Sequence, residues 1–168
     1  MTRLDHAGLV FARFPREIEV ASVGVSASVR CMDTLTPAER SDRMAKVRSK
    51  NTRPEWTVRR LVHAMGFRYR LHARDIPGRP DLVFRSRRKT IFVHGCFWHR
   101  HPDPTCKLAR RPKSRHEFWD AKFAANVARD AIVMEQLANM GWHVMIVWEC
   151  ELRDVQGLAR RLREFLDR

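Results

Sequence analysis

Residues 90–93, an apolar run of threonine, isoleucine, phenylalanine and valine, lead directly into a segment rich in histidine, cysteine and aromatic residues. The apolar run has the length and composition of a buried β-strand. The segment over residues 94–101 holds three histidines, one cysteine and the adjacent pair Phe97 and Trp98. Histidine and cysteine are frequent metal ligands, and histidine is the usual general base near neutral pH. The junction therefore predicts a β-sheet in which one strand ends in a chemically active loop.

The chain is strongly basic, with a formal net charge of +14 over 168 residues. This excess favours a polyanionic partner, and nucleic acid is the first candidate. The alternative is a basic surface that serves only solubility. The length suits one domain with a sizeable core.

Cysteine usage and hydropathy indicate the compartment. The four cysteines, at positions 31, 96, 106 and 150, lack the density of a secreted disulfide scaffold. No apolar run has membrane-spanning length, and the first thirty residues show no secretory signal. We therefore expect a cytoplasmic protein that does not act on membranes.

The N-terminal part differs from the rest of the chain. Residues 1–31 contain a weakly periodic stretch of small residues, which predicts a disordered extension. Residues 32–168 are then the folded domain.

The order of predicted elements indicates the fold class. Capping-box patterns predict one helix from Thr36 to about Ser49 and a second from Thr52 to Gly66. Strands are predicted over residues 67–71, 81–84, 90–94 and 142–148, and further helices over residues 117–140 and 155–167. The order ααβββαβα favours an α/β fold in which a mixed sheet carries helices on both faces.

Asp81 follows a Pro-Gly turn and begins a predicted strand. A tight hairpin over residues 86–89 would bring Val93 and His94 beside it. A carboxylate next to a histidine on a basic protein is typical of a metal-dependent phosphodiesterase centre, and Mg²⁺ prefers carboxylate oxygen. The alternative is an aspartate that only accepts hydrogen bonds from turn amides.

The histidines and cysteines divide into two groups. His94 and His99 are candidates for moving a proton during hydrolysis. Cys96, His101 and Cys106 supply three soft ligands in one loop, and Cys150, after the last predicted strand, would complete a tetrahedral zinc site. Unrelated thiols and a surface histidine are the alternative, because this spacing is not a common finger pattern.

Aromatic and basic residues indicate how a duplex would be held. Phe97, Trp98 and Trp119 are candidates for insertion between stacked bases. Basic residues of the first helix region and of the loop, including Lys50, Lys113 and Arg115, are candidates for phosphate contact. The alternatives are a core position for Trp119 and a merely solvated charged face.

Several motifs together resemble one known family. They are Ser41-x-x-Met44, Lys50-Asn51-Thr52, Pro77-Gly78-Arg79-Pro80-Asp81, Val93-His94-Gly95-Cys96-Phe97-Trp98-His99, Glu117-Phe118-Trp119, Asn126-Val127-x-Arg129-Asp130 and Gly141-Trp142-x-Val144-x-Ile146-Val147-Trp148-Glu149-Cys150. The set, from about Ser41 to Cys150, resembles the very-short-patch-repair (Vsr) DNA mismatch endonucleases.

The resemblance implies a restriction-endonuclease-like fold of the PD-(D/E)xK type with a structural zinc site. It implies a Mg²⁺-dependent nick on the 5′ side of the thymine in T·G mismatches that arise when 5-methylcytosine deaminates. The expected partners are double-stranded DNA with such a mismatch, a MutL-type mismatch-repair protein and, functionally, a cytosine-5 DNA methyltransferase. We expect a monomer that associates with the nucleoid when it acts.

The resemblance also implies roles for individual residues. Asp81 and the backbone carbonyl of Val93 would bind Mg²⁺, His94 and His99 would be catalytic, and Asp130 would orient a histidine. Phe97, Trp98 and Trp119 would intercalate, and Met44 would reach the minor-groove side. The implied zinc ligands are Cys96, His101, Cys106 and Cys150.

This sequence departs from the family pattern at two places. A helical glutamate assists the site in some relatives, whereas the aligned residue here is Val58. Glu55, one turn earlier on the same helical face, is the candidate substitute. Four residues separate His101 from Cys106, more than in better-known family sequences. A restriction-type endonuclease without mismatch specificity and a non-catalytic zinc-stapled DNA-binding module are the competing hypotheses.

Overall fold

A computed structural model of the chain describes residues 36–46 and 50–168. The extension predicted over residues 1–31 lies outside this part. Within the described part, no helix combines the length and apolar character that crossing a membrane requires.

Two capped helices open the described chain. Helix α1 spans Pro37–Ala45 and helix α2 spans Arg53–Ala64, and each begins with a threonine and glutamate that form a reciprocal capping box. Both predicted starts are confirmed. Helix α1 ends at Ala45, with Lys46 as its C-cap, rather than near Ser49.

The sheet is mixed and has three strands, β1 (Leu82–Phe84), β2 (Lys89–His94) and β3 (His143–Trp148). Strand β2 is central, and it pairs antiparallel with β1 and parallel with β3. The long helix α3 (His116–Asn139) connects β2 to β3, and helix α4 (Val155–Asp167) ends the chain. The predicted mixed α/β sheet is confirmed.

The predicted strand over residues 67–71 is wrong. Only Arg70 pairs, through two 2.9 Å backbone hydrogen bonds with Val83. Strand β1 offers few partners, because it is three residues long and the chain enters a 3-10 turn (Arg85–Arg87) directly after it. His72, with a φ of 47°, then turns the chain out of the extended conformation. The same 3-10 turn stands where a hairpin turn over residues 86–89 was predicted.

Alternation along the strands builds a core on each face of the sheet. One core packs Leu82, Ile91 and Val147 against residues of α2 and α4. The other packs Val83 and Phe92 against residues of α3. Because successive strand residues point to opposite faces, this division follows from the sequence pattern, and the predicted helices on both faces are confirmed.

The parallel pairing fixes where the functional loops meet. His94 and Trp148 are register partners at the carboxyl ends of β2 and β3. The loop after β2 and the 3-10 turn after β3 (Glu149–Arg153) therefore leave the sheet at one edge. Residues 95–101 and residue 150 are brought together there although about fifty positions separate them.

Gly78 lets the turn before Asp81 lie directly on the second core. Its φ is +71°, and a Cβ at this position would collide with Cγ1 of Val133 and lie 3.2 Å from the ring of Phe92. A side chain here would strain the backbone and collide with packed atoms. The turn thus needs glycine to reach its place beside the sheet.

Candidate active site

Asp81 is held beside the end of β2 by the backbone. Its Oδ2 accepts a 2.7 Å hydrogen bond from the Val93 N–H. The antiparallel pairing of β1 with β2 creates this contact, since Leu82 is the register partner of Ile91. Burial raises the pKa of the Asp81 carboxyl to about 6, against the lowering effect of the Val93 hydrogen bond.

Asp81 lies in a group of possible metal ligands with Glu55 and His72. One ligand atom from each lies within 4.8 Å of the others, and Nδ1 of His72 is 4.0 Å from Oδ1 of Asp81. Burial and the Arg59 charge lower the pKa of His72, and Lys50 acts in the same direction. The structure thus brings Glu55, the candidate for the helical glutamate, to the Asp81 carboxylate.

His94, His99 and Asp130 form a second group at the same sheet edge. The imidazole rings of His94 and His99 stack with centroids 3.8 Å apart. Nδ1 of His99 lies 2.5 Å from Oδ2 of Asp130 on α3. His99 also lies close enough to Asp81 for its charge to lower that carboxyl's pKa. The two groups therefore share one electrostatic environment.

The two titratable neighbours of His99, His94 and Asp130, both have lowered pKa values. Burial, reinforced by the charge of His99, lowers the pKa of His94 to about 4. Burial opposes ionisation of Asp130, yet the hydrogen bond and charge of His99 and the contact with Arg129 leave its pKa below the usual range. At neutral pH His94 is thus neutral and Asp130 is ionised. An ionised Asp130 accepts a hydrogen bond from Nδ1 of His99, so a neutral ring keeps its proton there and carries its lone pair on Nε2.

Helix α3 also anchors the loop that carries these groups. Asn126 Nδ2 donates a 2.9 Å hydrogen bond to the Trp98 carbonyl. Asn126 and Asp130 are four residues apart, so they share a face of α3. Within the loop, Trp98 N–H and His99 N–H both donate to the Gly95 carbonyl. Backbone and helix together fix the loop.

The sulfur atoms of Cys96, Cys106 and Cys150 lie within 4.8 Å of one another, and Sγ of Cys150 is 3.7 Å from Nε2 of His101. Tetrahedral zinc with 2.3 Å bonds to sulfur sets its ligands roughly 3.8 Å apart. The donor set and its spacing therefore fit a zinc ion. Burial raises the pKa of the Cys96 thiol to about 12, so a cation would be needed to stabilise its thiolate.

The residues between His101 and Cys106 fold back on themselves. Oδ1 of Asp103 accepts hydrogen bonds from the Thr105 N–H and hydroxyl, and the Asp103 carbonyl accepts from the Cys106 N–H. This turn absorbs the longer spacing and returns Cys106 to the other thiols.

Phe97 lies at the centre of an aromatic cluster. Its ring centroid lies 5.0 Å from that of Trp98, 5.2 Å from that of Trp119 and 5.1 Å from that of Phe123. Phe123 is buried, whereas the three aromatic residues proposed as wedges are half-buried. The three rings and that of Phe123 pack on one another as a group.

The remaining predicted DNA contacts are exposed. Lys113 and Arg115 lie in the loop before α3, with the Arg115 guanidinium 4.7 Å from the Phe118 ring. Met44 lies on α1 and is 36 % exposed.

The sequence reasoning missed His72, Arg59 and Asn126. His72 follows a segment that pairs at one point with β1, and its N–H donates to the Pro80 carbonyl, which places its ring beside Asp81. The available signal was that this histidine directly follows residues 67–71, which the sequence predicted to be a strand. Asn126 was visible only as part of a motif.

A mixed sheet that gathers carboxylates, stacked histidines and a thiol cluster at one edge of a basic protein is typical of a nuclease of the α/β class. The family model described as "DNA mismatch endonuclease Vsr" matches residues 32–105. Similar proteins include the Type II nicking enzyme V.XorIIP of Xanthomonas oryzae pv. oryzae, 53 % identical over 80 % of this chain and 97 % of the relative.

Two further relatives are 38 % identical over 80 % of this chain. The Type II nicking enzyme V.NmeAIP of Neisseria meningitidis serogroup A is covered over 97 % of its length. The DNA mismatch endonuclease Vsr of Escherichia coli K12 is covered over 87 %. This chain belongs to the Vsr endonuclease family.

Proposed function

We propose that this protein nicks DNA on the 5′ side of the thymine in T·G mismatches produced by deamination of 5-methylcytosine, as in very short patch repair. The observation that carries the proposal is the joint placement of Asp81, His94 and His99 at the edge where the aromatic cluster begins. Family membership and the names of the relatives support a DNA endonuclease. We assign the restriction-endonuclease-like fold on the same basis.

Mg²⁺ is the proposed catalytic ion, held by Asp81 and the backbone carbonyl of Val93. Asp81 fits this role because burial disfavours its charge, so a cation would relieve that penalty. When bound there, the ion would stabilise charge that develops on the scissile phosphate. Glu55 lies beside Asp81, as proposed for the helical glutamate that assists the site in some relatives.

The histidines are the proposed proton donor and acceptor. Hydrolysis removes a proton from the attacking water and supplies one to the leaving oxygen as the phosphorus–oxygen bond breaks. Nε2 of His99 is available for such a transfer, because Asp130 engages Nδ1. His94, which is neutral at neutral pH, stacks on His99 and limits the positions that the His99 ring can take.

The thiol cluster would bind a structural zinc ion through Cys96, His101, Cys106 and Cys150. This ion would tie the loop after β2 to the turn after β3, close to His99 and the aromatic residues. His101 Nδ1 accepts from the Asp103 N–H, so its Nε2 carries the proton that faces Cys150. Zinc binding through Nε2 would therefore require the other neutral tautomer, with the proton on Nδ1, and the Asp103 N–H would lose this acceptor.

The aromatic cluster would recognise the weak base pair. Insertion of Phe97, Trp98 and Trp119 unstacks bases, and a mismatch costs less to deform than a paired step. Met44 would contact the minor-groove side, and Lys50, Lys113 and Arg115 would contact phosphates. A MutL-type protein and a cytosine-5 methyltransferase are the proposed functional partners of a monomer that acts at the nucleoid in the cytoplasm.

The test is a strand-resolved nicking assay with Mg²⁺ on duplexes that differ only in T·G, U·G or C·G at the second position of a CCWGG-type site. One nick 5′ of the mismatched thymine, absent from the C·G duplex, is the expected result. Equal cutting of all duplexes would instead identify an endonuclease without mismatch specificity. Binding of T·G without cutting would identify a non-catalytic module.

The Asp81→Asn variant tests whether nicking depends on the charge of the carboxylate. The Asn amide oxygen can still accept the Val93 hydrogen bond, so the fold is expected to persist while the charge is lost. Nicking should disappear and binding of the T·G duplex should remain. A variant that nicks at the normal rate would refute the role of Asp81.

A further inference from the structure

Arg59 lies at the centre of a buried network that joins α2 to the Asp81 carboxylate. Its side chain is almost fully buried, and its NH1 group donates a 2.6 Å hydrogen bond to Oδ1 of Asn51. Its NH2 group donates a 2.7 Å hydrogen bond to Oε2 of Glu55 and lies 3.1 Å from Nε2 of His72. The two protons of NH2 thus serve two acceptors on different parts of the chain.

This contact determines the tautomer of His72. A guanidinium keeps its protons in proteins and can only donate, so Nε2 of His72 must accept. The neutral ring then carries its proton on Nδ1, which faces Oδ1 of Asp81 at 4.0 Å. A single water molecule, with hydrogen bonds of about 2.8 Å to each side, spans such a gap.

Glu55 anchors Arg59. Its Oε1 accepts from the N–H and the hydroxyl of Thr52, and its Oε2 accepts from the Asn51 N–H and from Arg59. A carboxylate offers about four lone-pair positions, so all of them are engaged. The acceptor positions of Glu55 are therefore occupied by donors at the start of α2 and by Arg59.

We propose that Arg59 and His72 are positioning residues of the Asp81 site: Arg59 holds His72 in the Nδ1–H tautomer, and His72 orients Oδ1 of Asp81. The two oxygens of Asp81 are then held from two sides, Oδ2 by the Val93 amide and Oδ1 by His72. His72 is not a metal ligand, although it lies in the ligand group, because neither of its nitrogens offers a free lone pair. The inference rests on the proposed role of Asp81.

The tautomer is measured directly by nitrogen-15 NMR of the histidine side chains in protein without added divalent ions. We expect His72 to be the Nδ1–H form, identified by the loss of its signals in His72→Asn. Arg59→Lys keeps the charge but not the planar fork of donors, so His72 should shift towards the Nε2–H form. An Nε2–H ring in the wild-type protein would overturn the proposal.

The positioning role is measured by a pair of variants. The side-chain amide nitrogen of His72→Asn stands near the place of Nδ1 and donates, whereas His72→Leu fills similar space and cannot donate. His72→Leu should raise the Mg²⁺ concentration for half-maximal nicking by about 10- to 100-fold, with a smaller effect on the rate at saturating Mg²⁺. His72→Asn should restore most of the affinity.

Equal losses in both variants would assign His72 to packing and overturn the positioning role, and so would two variants that behave like wild type. A wild-type protein that binds Mg²⁺ but does not nick any duplex would instead refute the proposed function. The NMR result does not depend on nicking and decides the tautomer in either case.

Discussion

The Val93 N–H donates a 2.7 Å hydrogen bond to Oδ2 of Asp81, so the central strand holds the carboxylate that directly precedes the edge strand. Because Val93 directly precedes His94, the same strand also delivers the first histidine of the site. Displacement of β2 would therefore move both groups together. The chemistry at this edge depends on the register of the sheet.

The pH dependence of Mg²⁺ use follows from Asp81. Its pKa is raised to about 6, chiefly by burial, so the carboxyl is protonated as pH falls through 6. Protons then compete with Mg²⁺, and the metal affinity should fall about tenfold for each pH unit below 6. Nicking at subsaturating Mg²⁺, measured between pH 5 and 8, should lose rate on the acid side.

Higher Mg²⁺ concentration should move this acid limb to lower pH, since the cation favours the charged carboxylate. An acid limb that stays in place at all Mg²⁺ concentrations would contradict the assignment to Asp81.

Asp130 should matter through its charge and its hold on His99. We expect Asp130→Asn to lower the nicking rate by about 10²-fold or more, because the ionic partner that fixes the tautomer of His99 is lost. The control is Arg129→Ala, which removes an exposed contact to the same carboxylate and is worth at most about 1 kcal/mol. Similar losses in both variants would point to a general disturbance of α3.

Zinc content is predicted from the thiol cluster. Purified protein should carry about one zinc ion per chain, and Cys150→Ser should lose it. The midpoint of thermal unfolding should then drop by at least about 5 °C, since metal binding contributes to folding free energy. Cys31→Ser is the matched control and should keep both zinc and stability. Equal zinc content in both variants would refute the site.

Substitutions of aromatic residues should affect mismatch-specific binding, whereas substitutions of basic residues should affect binding to any duplex. Trp98→Ala should weaken binding of the T·G duplex by about 1–3 kcal/mol and that of the C·G duplex by less. Lys113→Ala should weaken both duplexes alike and reduce the salt dependence of binding by about one ion. Equal effects of Trp98→Ala on both duplexes would remove its role in mismatch recognition.

Gly78→Ala tests the packing of the turn before Asp81. The positive φ and the collision with Val133 should reduce the free energy of unfolding by about 1–3 kcal/mol. Denaturant unfolding measures the loss. Gly66→Ala is a useful comparison, because Gly66 also has a positive φ but no atom lies within 4 Å of its added Cβ. A smaller loss at Gly78 than at Gly66 would contradict the packing argument.

The local features of this protein follow from short sequence patterns. Capping boxes gave the starts of α1 and α2, and alternation in the strands gave a sheet covered on both faces, because these signals act over a few residues. The motif around His94 and the basic charge indicated a nuclease, and the set of motifs identified the family.

The contacts between distant parts of the chain depend on how the helices and strands pack. Residues 67–71 alternate like a strand, but the short β1 gives them a single pairing partner. Arg59 and His72 are 13 positions apart in the sequence, and His101 and Cys150 are 49 apart. No pattern of neighbouring residues predicts either contact. Such contacts arise only when the register of the sheet and the packing of α2 and α3 are fixed, because these long-range constraints set the distances between side chains.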